Sequence, residues 1–196
     1  MTYDAVVFDN DGVLTHPTDR AVLRRAARAA FAEFDVDPTP DCVEGAVGGD
    51  EDRIRTVCAR HDVDPVAFWP RREHHAATEQ RAAMETGQKP LYGDVGALEE
   101  LRKPLGVVSN NQHATVEHIV DVFDLDGLFE TVYGRDPSLE GFRRRKPETH
   151  YLERALADLE AESALYVGDS AVDVAVADRL GIDSAFVRRP HRSDYD

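Results

Sequence analysis

Residues 4–15 read Asp4-Ala5-Val6-Val7-Phe8-Asp9-Asn10-Asp11-Gly12-Val13-Leu14-Thr15. The run Ala5 to Phe8 is continuously apolar and ends in a turn signal, which predicts a short buried parallel strand. Asp9 and Asp11 follow it at i, i+2, and Gly12 allows a sharp backbone turn. Open α/β sheets place their ligand sites at such a strand end. Two neighbouring carboxylates repel unless a cation or a shared proton lies between them. A hard divalent cation, with different protonation of the two acids, resolves the conflict.

The same residues also suit a plain turn. An EF-hand loop is excluded, because its bidentate glutamate position is Thr18 and because a strand, not a helix, precedes the aspartates. With 196 residues and 42% hydrophobic content, the chain suits one domain carrying an insertion. The formal net charge is -15, which argues against nucleic acid as the main partner. No apolar run reaches the length of a membrane span. The chain begins almost directly with the strand, without a signal-peptide core. Cys42 and Cys58 form no disulfide framework. The expectation is a reduced, cytoplasmic protein. Only Lys89, Lys103 and Lys146 are lysines, against many arginines and surface acids. That composition resembles proteins of salt-loving organisms, although a GC-rich genome also favours arginine. The eight histidines suggest no zinc site, since His74 and His75 are adjacent and His113 and His118 are poorly spaced.

Beyond Thr15, Thr18 or Asp19 can cap a helix carrying Val22, Leu23, Ala26, Ala27, Ala30, Phe31 and Phe34 at helical spacing. Helices are expected around 41–46, 50–61 and 64–84, and no convincing strand lies between His16 and Lys89. From Pro90 onward strands and helices alternate. Strands are expected at 105–108, 131–133, 164–167 and 184–187. Helices are expected at 93–102, 116–123, 151–159 and 172–180, the last stopped by Gly181. The tail from Pro190 is expected to be loose. The fold class is α/β: a doubly wound parallel sheet formed by residues 1–15 and 90–196, with an all-helical insertion at 16–89.

Chemical groups recur at the strand ends: Asp9 and Asp11, then Ser109-Asn110, then Asp169 and Asp173. Lys146 precedes the helix before the fourth strand. Each has a plainer reading. Asp169 and Asp173 can cap a helix, Ser109 can be an N-cap, and Arg143-Arg144-Arg145-Lys146 can be a solvated basic loop. Their order and spacing resemble the haloacid dehalogenase superfamily of phosphotransferases, through four motifs: Asp9 to Leu14, Val107-Val108-Ser109-Asn110, Lys146-Pro147, and Gly168-Asp169-Ser170 to Asp173. The resemblance extends over nearly the whole chain and implies the family's core with a helical cap.

The resemblance implies that Asp9 attacks phosphorus to form an aspartyl-phosphate. It implies that Asp11 protonates the leaving alcohol and then activates water. Magnesium would draw on Asp9, Asp169 and the Asp11 carbonyl, with Asp173 nearby. Ser109, Asn110 and Lys146 would hold the phosphoryl group.

Two positions depart from the family pattern: His16 stands where relatives often carry an acid, and Glu148-Thr149 follow Lys146-Pro147. His16 is a candidate substrate contact or a hinge residue. Asp11 argues against dehalogenation and phosphonate hydrolysis. The insertion carries a net charge of -3 and the remainder -12. Gly48-Gly49 with Arg53 and Arg55 resemble a cap loop that reaches the leaving group; alternatively, the arginines pair with Asp50, Glu51 and Asp52 on a solvated helix face. The expected function is magnesium-dependent hydrolysis of a small phosphorylated metabolite, phosphoglycolate or a sugar phosphate. A sugar-phosphate mutase of the β-phosphoglucomutase type and a non-catalytic binding protein are the alternatives.

Overall fold

The computed structural model describes residues 2–47 and 50–191. Five parallel strands form one sheet: β1 (Ala5–Phe8), β2 (Leu105–Gln112), β3 (Thr131–Arg135), β4 (Ala164–Gly168) and β5 (Asp183–Phe186), in the order β3-β2-β1-β4-β5. All four residues of β1 are buried, as a strand covered on both faces requires. It pairs with β2 through Val6 to Leu105 and with β4 through Val6 to Leu165. The strand order reverses between β1 and β4, so a crevice opens at their carboxyl ends, where Asp9 begins.

Among the described residues, four α-helices lie between β1 and β2: α1 (Arg20–Ala32), α2 (Pro40–Val47), α3 (Glu51–Ala59) and α4 (Pro65–Glu85). Asp19, Asp50 and Asp64 accept backbone N–H bonds at the starts of α1, α3 and α4. The apolar stripe of α1 buries Ala27, Ala30 and Phe31 against Ile54, Val57, Phe68 and Trp69. Phe142 joins this helical cluster from α6 (Leu139–Arg143), a helix too short to show a sequence period. The sheet faces are covered by α5 (His113–Val122) on one side, and by α7 (His150–Asp158) and α8 (Ala171–Leu180) on the other.

Three expectations change. The helix expected at 93–102 is a 3-10 helix, Val95–Glu100, because Gly93 and Gly96 weaken an α-helix there. β2 continues past Val108 to Gln112, with a shift of register against β3 between those residues. That irregularity takes Ser109, Asn110 and Asn111 out of the regular ladder and leaves their side chains for other contacts. The start of the tail is not loose: His191 Nε2 lies 2.9 Å from Asp169 Oδ2, and its Nδ1 lies 3.0 Å from the Tyr92 hydroxyl. Residues 192–196 and Gly48-Gly49 lie outside the described residues. No helix among the described residues is long and apolar enough to cross a membrane.

Candidate active site

The carboxyl ends of β1, β2 and β4 converge as the sheet order requires. Asp9, Asp169 and Asp173 are buried, and each offers a carboxylate oxygen within 4.8 Å of the others. Lys146 is 3% exposed, lies 2.9 Å from Asp9 Oδ1, and donates to Asp173 Oδ1 at 2.7 Å and to the Tyr166 hydroxyl at 2.7 Å. The Asp9 carboxyl is raised to about 7, as burial and the Asp173 charge, which push it up, outweigh the Lys146 charge, which pulls it down. Burial works against the Lys146 charge, but Asp9, Tyr166 and Asp173 hold its pKa well above the usual lysine range. Three buried carboxylates around one lysine leave an excess of negative charge. Hard oxygen donors with that excess fit a divalent cation.

Two glycines permit this crowding. Gly12 has φ +86°, and a Cβ there would sit 2.2 Å from Asp169 Oδ2. A Cβ on Gly168 would meet the Asp173 Cβ at 2.2 Å. Asp173 also closes the start of α8: its Oδ2 accepts from the Ser170 backbone N–H at 3.0 Å, in a capping box. The helix-cap reading of Asp173 and its place beside Lys146 are therefore both realised, one by each carboxylate oxygen.

A cavity of about 320 Å³ opens beside Asp9 and Asp11 and is lined also by Ser109, Asn110, Asn111, Thr18, Gln80, Arg72 and Arg135. Ser109 is buried, and its Oγ accepts from the Asn111 N–H at 3.1 Å. Asn110 lines the same cavity, and its side chain also has a structural task. Its side-chain oxygen accepts from the Lys146 N–H at 2.7 Å, and its Nδ2 donates to the Lys146 carbonyl at 3.0 Å. The amide thus clamps the Lys146 backbone.

Asp11 faces a network that sequence reading missed. Lys89, 1% exposed, pairs with Asp11 and donates to the Thr18 hydroxyl at 2.7 Å. Asn111 donates to Asp11 Oδ2 at 2.8 Å and to Gln80 Oε1 at 2.8 Å. Gln80 on α4 and Lys89 just after it therefore tie the helical segment to the strand-end acid. The one available signal was scarcity: two of the three lysines in the chain stand at this site.

The structure does not bring Arg53, Arg55 or His16 into the cavity lining. Arg53 lies 3.5 Å from Asp41, and Arg55 pairs with Glu51 at 2.7 Å, one helical turn away. Both are solvated-face contacts. His16 stacks on Tyr92, with ring centroids 4.1 Å apart.

A family model described as a haloacid dehalogenase-like hydrolase matches residues 3–181. A phosphoglycolate phosphatase of Cereibacter sphaeroides is 29% identical over 95% of this chain and 86% of its own length. A phosphoglycolate phosphatase of Aquifex aeolicus is 33% identical over 92% of this chain and 82% of its own length. The crystal structure of CbbY from Rhodobacter sphaeroides in complex with phosphate superposes with a TM-score of 0.73 at 20% identity, over 100% of this chain and 90% of that one. That likeness is one of fold.

Proposed function

Since this chain belongs to the haloacid dehalogenase-like hydrolases, we propose that it is a magnesium-dependent phosphatase acting on a small phosphorylated metabolite, with phosphoglycolate the leading substrate. The observation that carries this reading is the setting of Asp9, buried at the end of β1 between Lys146 and two further carboxylates, with the cavity in front of it. In this reading Asp9 attacks phosphorus. The new bond joins its carboxylate oxygen to phosphorus, and the ester oxygen departs with the electron pair. Asp11 gives the departing alcohol a proton and later takes one from the attacking water. Lys146 neutralises charge on the nucleophile, and Ser109 donates to the phosphoryl group. Asn110 acts through Lys146, as its positioning clamp.

Asp9, Asp169 and Asp173 are the residues to hold magnesium, which when bound would offset phosphate charge. Residues 16–89 would act as a cap over a core of 1–15 and 90–196, excluding water when closed. Free, buried Cys42 and Cys58 support a reducing, cytoplasmic setting. The charge of -15 supports adaptation to salt.

The test is a panel of phosphate esters assayed with magnesium for both phosphate release and isomer formation. Phosphate release with no isomer is expected. Isomer formation without net release would replace the phosphatase by a mutase, and neither product from any ester would remove the enzymatic reading.

A further inference from the structure

The cavity that holds Asp9 and Asp11 is also lined by two arginines, Arg72 from α4 and Arg135 from the end of β3. Most arginines of this chain lie at the surface, but Arg72 is 6% exposed and Arg135 5%. A guanidinium keeps its charge even when buried, so burial must be met by partners. One carboxylate serves both. Glu73, 1% exposed, bonds Arg72 Nη1 through Oε1 at 2.5 Å, and its Oε2 lies 2.8 Å from Arg135 Nη2. Among the described residues no second acid forms an ion pair with either arginine. The buried cluster thus carries one unit of positive charge in excess.

The donors tell the same story. Arg135 Nε donates to the Asn110 carbonyl at 2.8 Å, while Nη1 is buried without a hydrogen-bond partner. Buried unpaired donors are uncommon and call for an explanation. Arg72 Nε donates to the Ala46 carbonyl at 3.1 Å. Both guanidiniums lie near the Trp69 ring, 5.7 and 5.9 Å from its centroid, and Arg135 lies 5.5 Å from that of Phe142. The cations are therefore fixed in place before any ligand arrives, so little entropy is lost when an anion docks.

The reacting phosphoryl group has its own donors in Ser109 and Lys146. An excess positive charge and a spare buried donor at the same cavity suit a different anion. We propose that Arg72 and Arg135 form a second anion subsite, which receives a carboxylate or a second phosphate carried by the leaving group. This rests on the phosphatase reading of the same cavity. It makes Arg72 and Arg135, rather than Arg53 and Arg55, the residues that set substrate class.

Both arginines also hold structure, since one bonds the end of α2 and the other the Asn110 carbonyl. The test therefore uses ratios. Wild type, R72Q, R135Q and R135K are assayed with 2-phosphoglycolate, ethylene glycol bisphosphate and 2-hydroxyethyl phosphate. The first two carry a second anion, a carboxylate and a phosphate respectively, and the third carries none. Wild type should prefer at least one anionic ester over the neutral one by about thirtyfold or more in kcat/KM. That ratio should fall at least about tenfold in R72Q and R135Q, and R135K should recover part of it. The preferred ester identifies which anion the subsite takes. No preference in wild type, or an unchanged ratio in both glutamine variants, overturns the proposal.

Calorimetry on D9N decides the matter without turnover. D9N should bind the preferred anionic ester at least about tenfold more tightly than 2-hydroxyethyl phosphate, and adding R135Q should erase the difference. Equal affinities in D9N overturn the subsite. If instead no ester, including 4-nitrophenyl phosphate, releases phosphate from wild type, the phosphatase reading fails, and the calorimetric comparison still judges the subsite.

Discussion

Replacing Lys146 with Met retains the stem and removes the only lysine charge among Asp9, Asp169 and Asp173. The ammonium is 2.9 Å from Asp9 and 2.7 Å from Asp173. At that range even a well-screened interior gives a gross attraction of about 6 kcal/mol per pair, and desolvation cancels much of it. Removing one member of a buried ionic cluster typically costs about 3–5 kcal/mol, because the remaining charges stay buried. For a chain of this size each kcal/mol lowers Tm by about 2–4 °C, so K146M should melt roughly 10 °C below wild type. The assay is urea and thermal unfolding at pH 8 with EDTA present, so that no divalent cation substitutes for the lysine. The same substitution in a D9N background should cost at least about 1 kcal/mol less, since one of the stranded carboxylates is gone. A K146M loss under about 1 kcal/mol, or an equal loss in both backgrounds, would refute this electrostatic account.

Further outcomes follow from other contacts. Arg143 donates to both oxygens of Glu51, and with Arg55 it holds the Glu51 carboxyl down at about 2. A depressed folded pKa stabilises above the unfolded value near 4.5 and is lost as pH falls toward 2. E51Q should therefore lose about 1 kcal/mol at pH 7, after solvent screening, and show a shallower acid limb between pH 4.5 and 2.5; a parallel limb in urea titrations would contradict this. K89M should lower kcat for an alkyl phosphate by about tenfold or more and for 4-nitrophenyl phosphate by less, because Lys89 holds the proposed proton donor Asp11. Equal losses in steady-state assays would detach Lys89 from proton transfer. The charge of -15 repels itself in dilute buffer, and molar salt shortens the screening length to about 3 Å, so Tm should rise between dilute and molar potassium chloride. A flat or falling Tm in that titration would remove the salt-adapted reading.

The strands that carry chemistry were legible because each pairs a simple pattern with a sharp ending. Ala5 to Phe8 is apolar throughout and stops at an aspartate; Ala164 to Val167 ends at Gly168-Asp169. The cap candidate Asp19 at the start of α1 was an equally local signal. What stayed hidden depends on contacts between distant segments. Lys89 and Asp11 are far apart in sequence, and no local pattern marks a buried lysine whose partner arrives through the fold. Arg72, Glu73 and Gln80 occupy buried positions on α4, where helical periodicity alone favours apolar residues. Glu73 and Gln80 are two turns apart on one face, which is a signal, but its meaning requires knowing that this face meets Asn111 and Arg135. Arg53 and Arg55 were drawn toward the substrate by motif analogy. Arg55 pairs instead with Glu51, one turn back on its own helix, and Arg53 lies beside Asp41 of α2. Asn110 was read from its position after a strand; that its side chain also bonds the backbone of Lys146 depends on a partner the sequence does not reveal.

The measurement that bears most directly on the account is rapid-quench phosphorylation of wild type, D9N and D11N with a labelled aryl phosphate and magnesium. Asp9 is the proposed nucleophile, and Asp11 the proposed acid and base. D9N should form no acid-stable, base-labile protein phosphate and release no phosphate above background. D11N should show a single-turnover burst and retain labelled protein, because an aryl leaving group needs little protonation while hydrolysis lacks its base. Labelled acyl-phosphate in D9N, or phosphate release by D9N at the wild-type rate, would contradict the assignment of Asp9 as the attacking group.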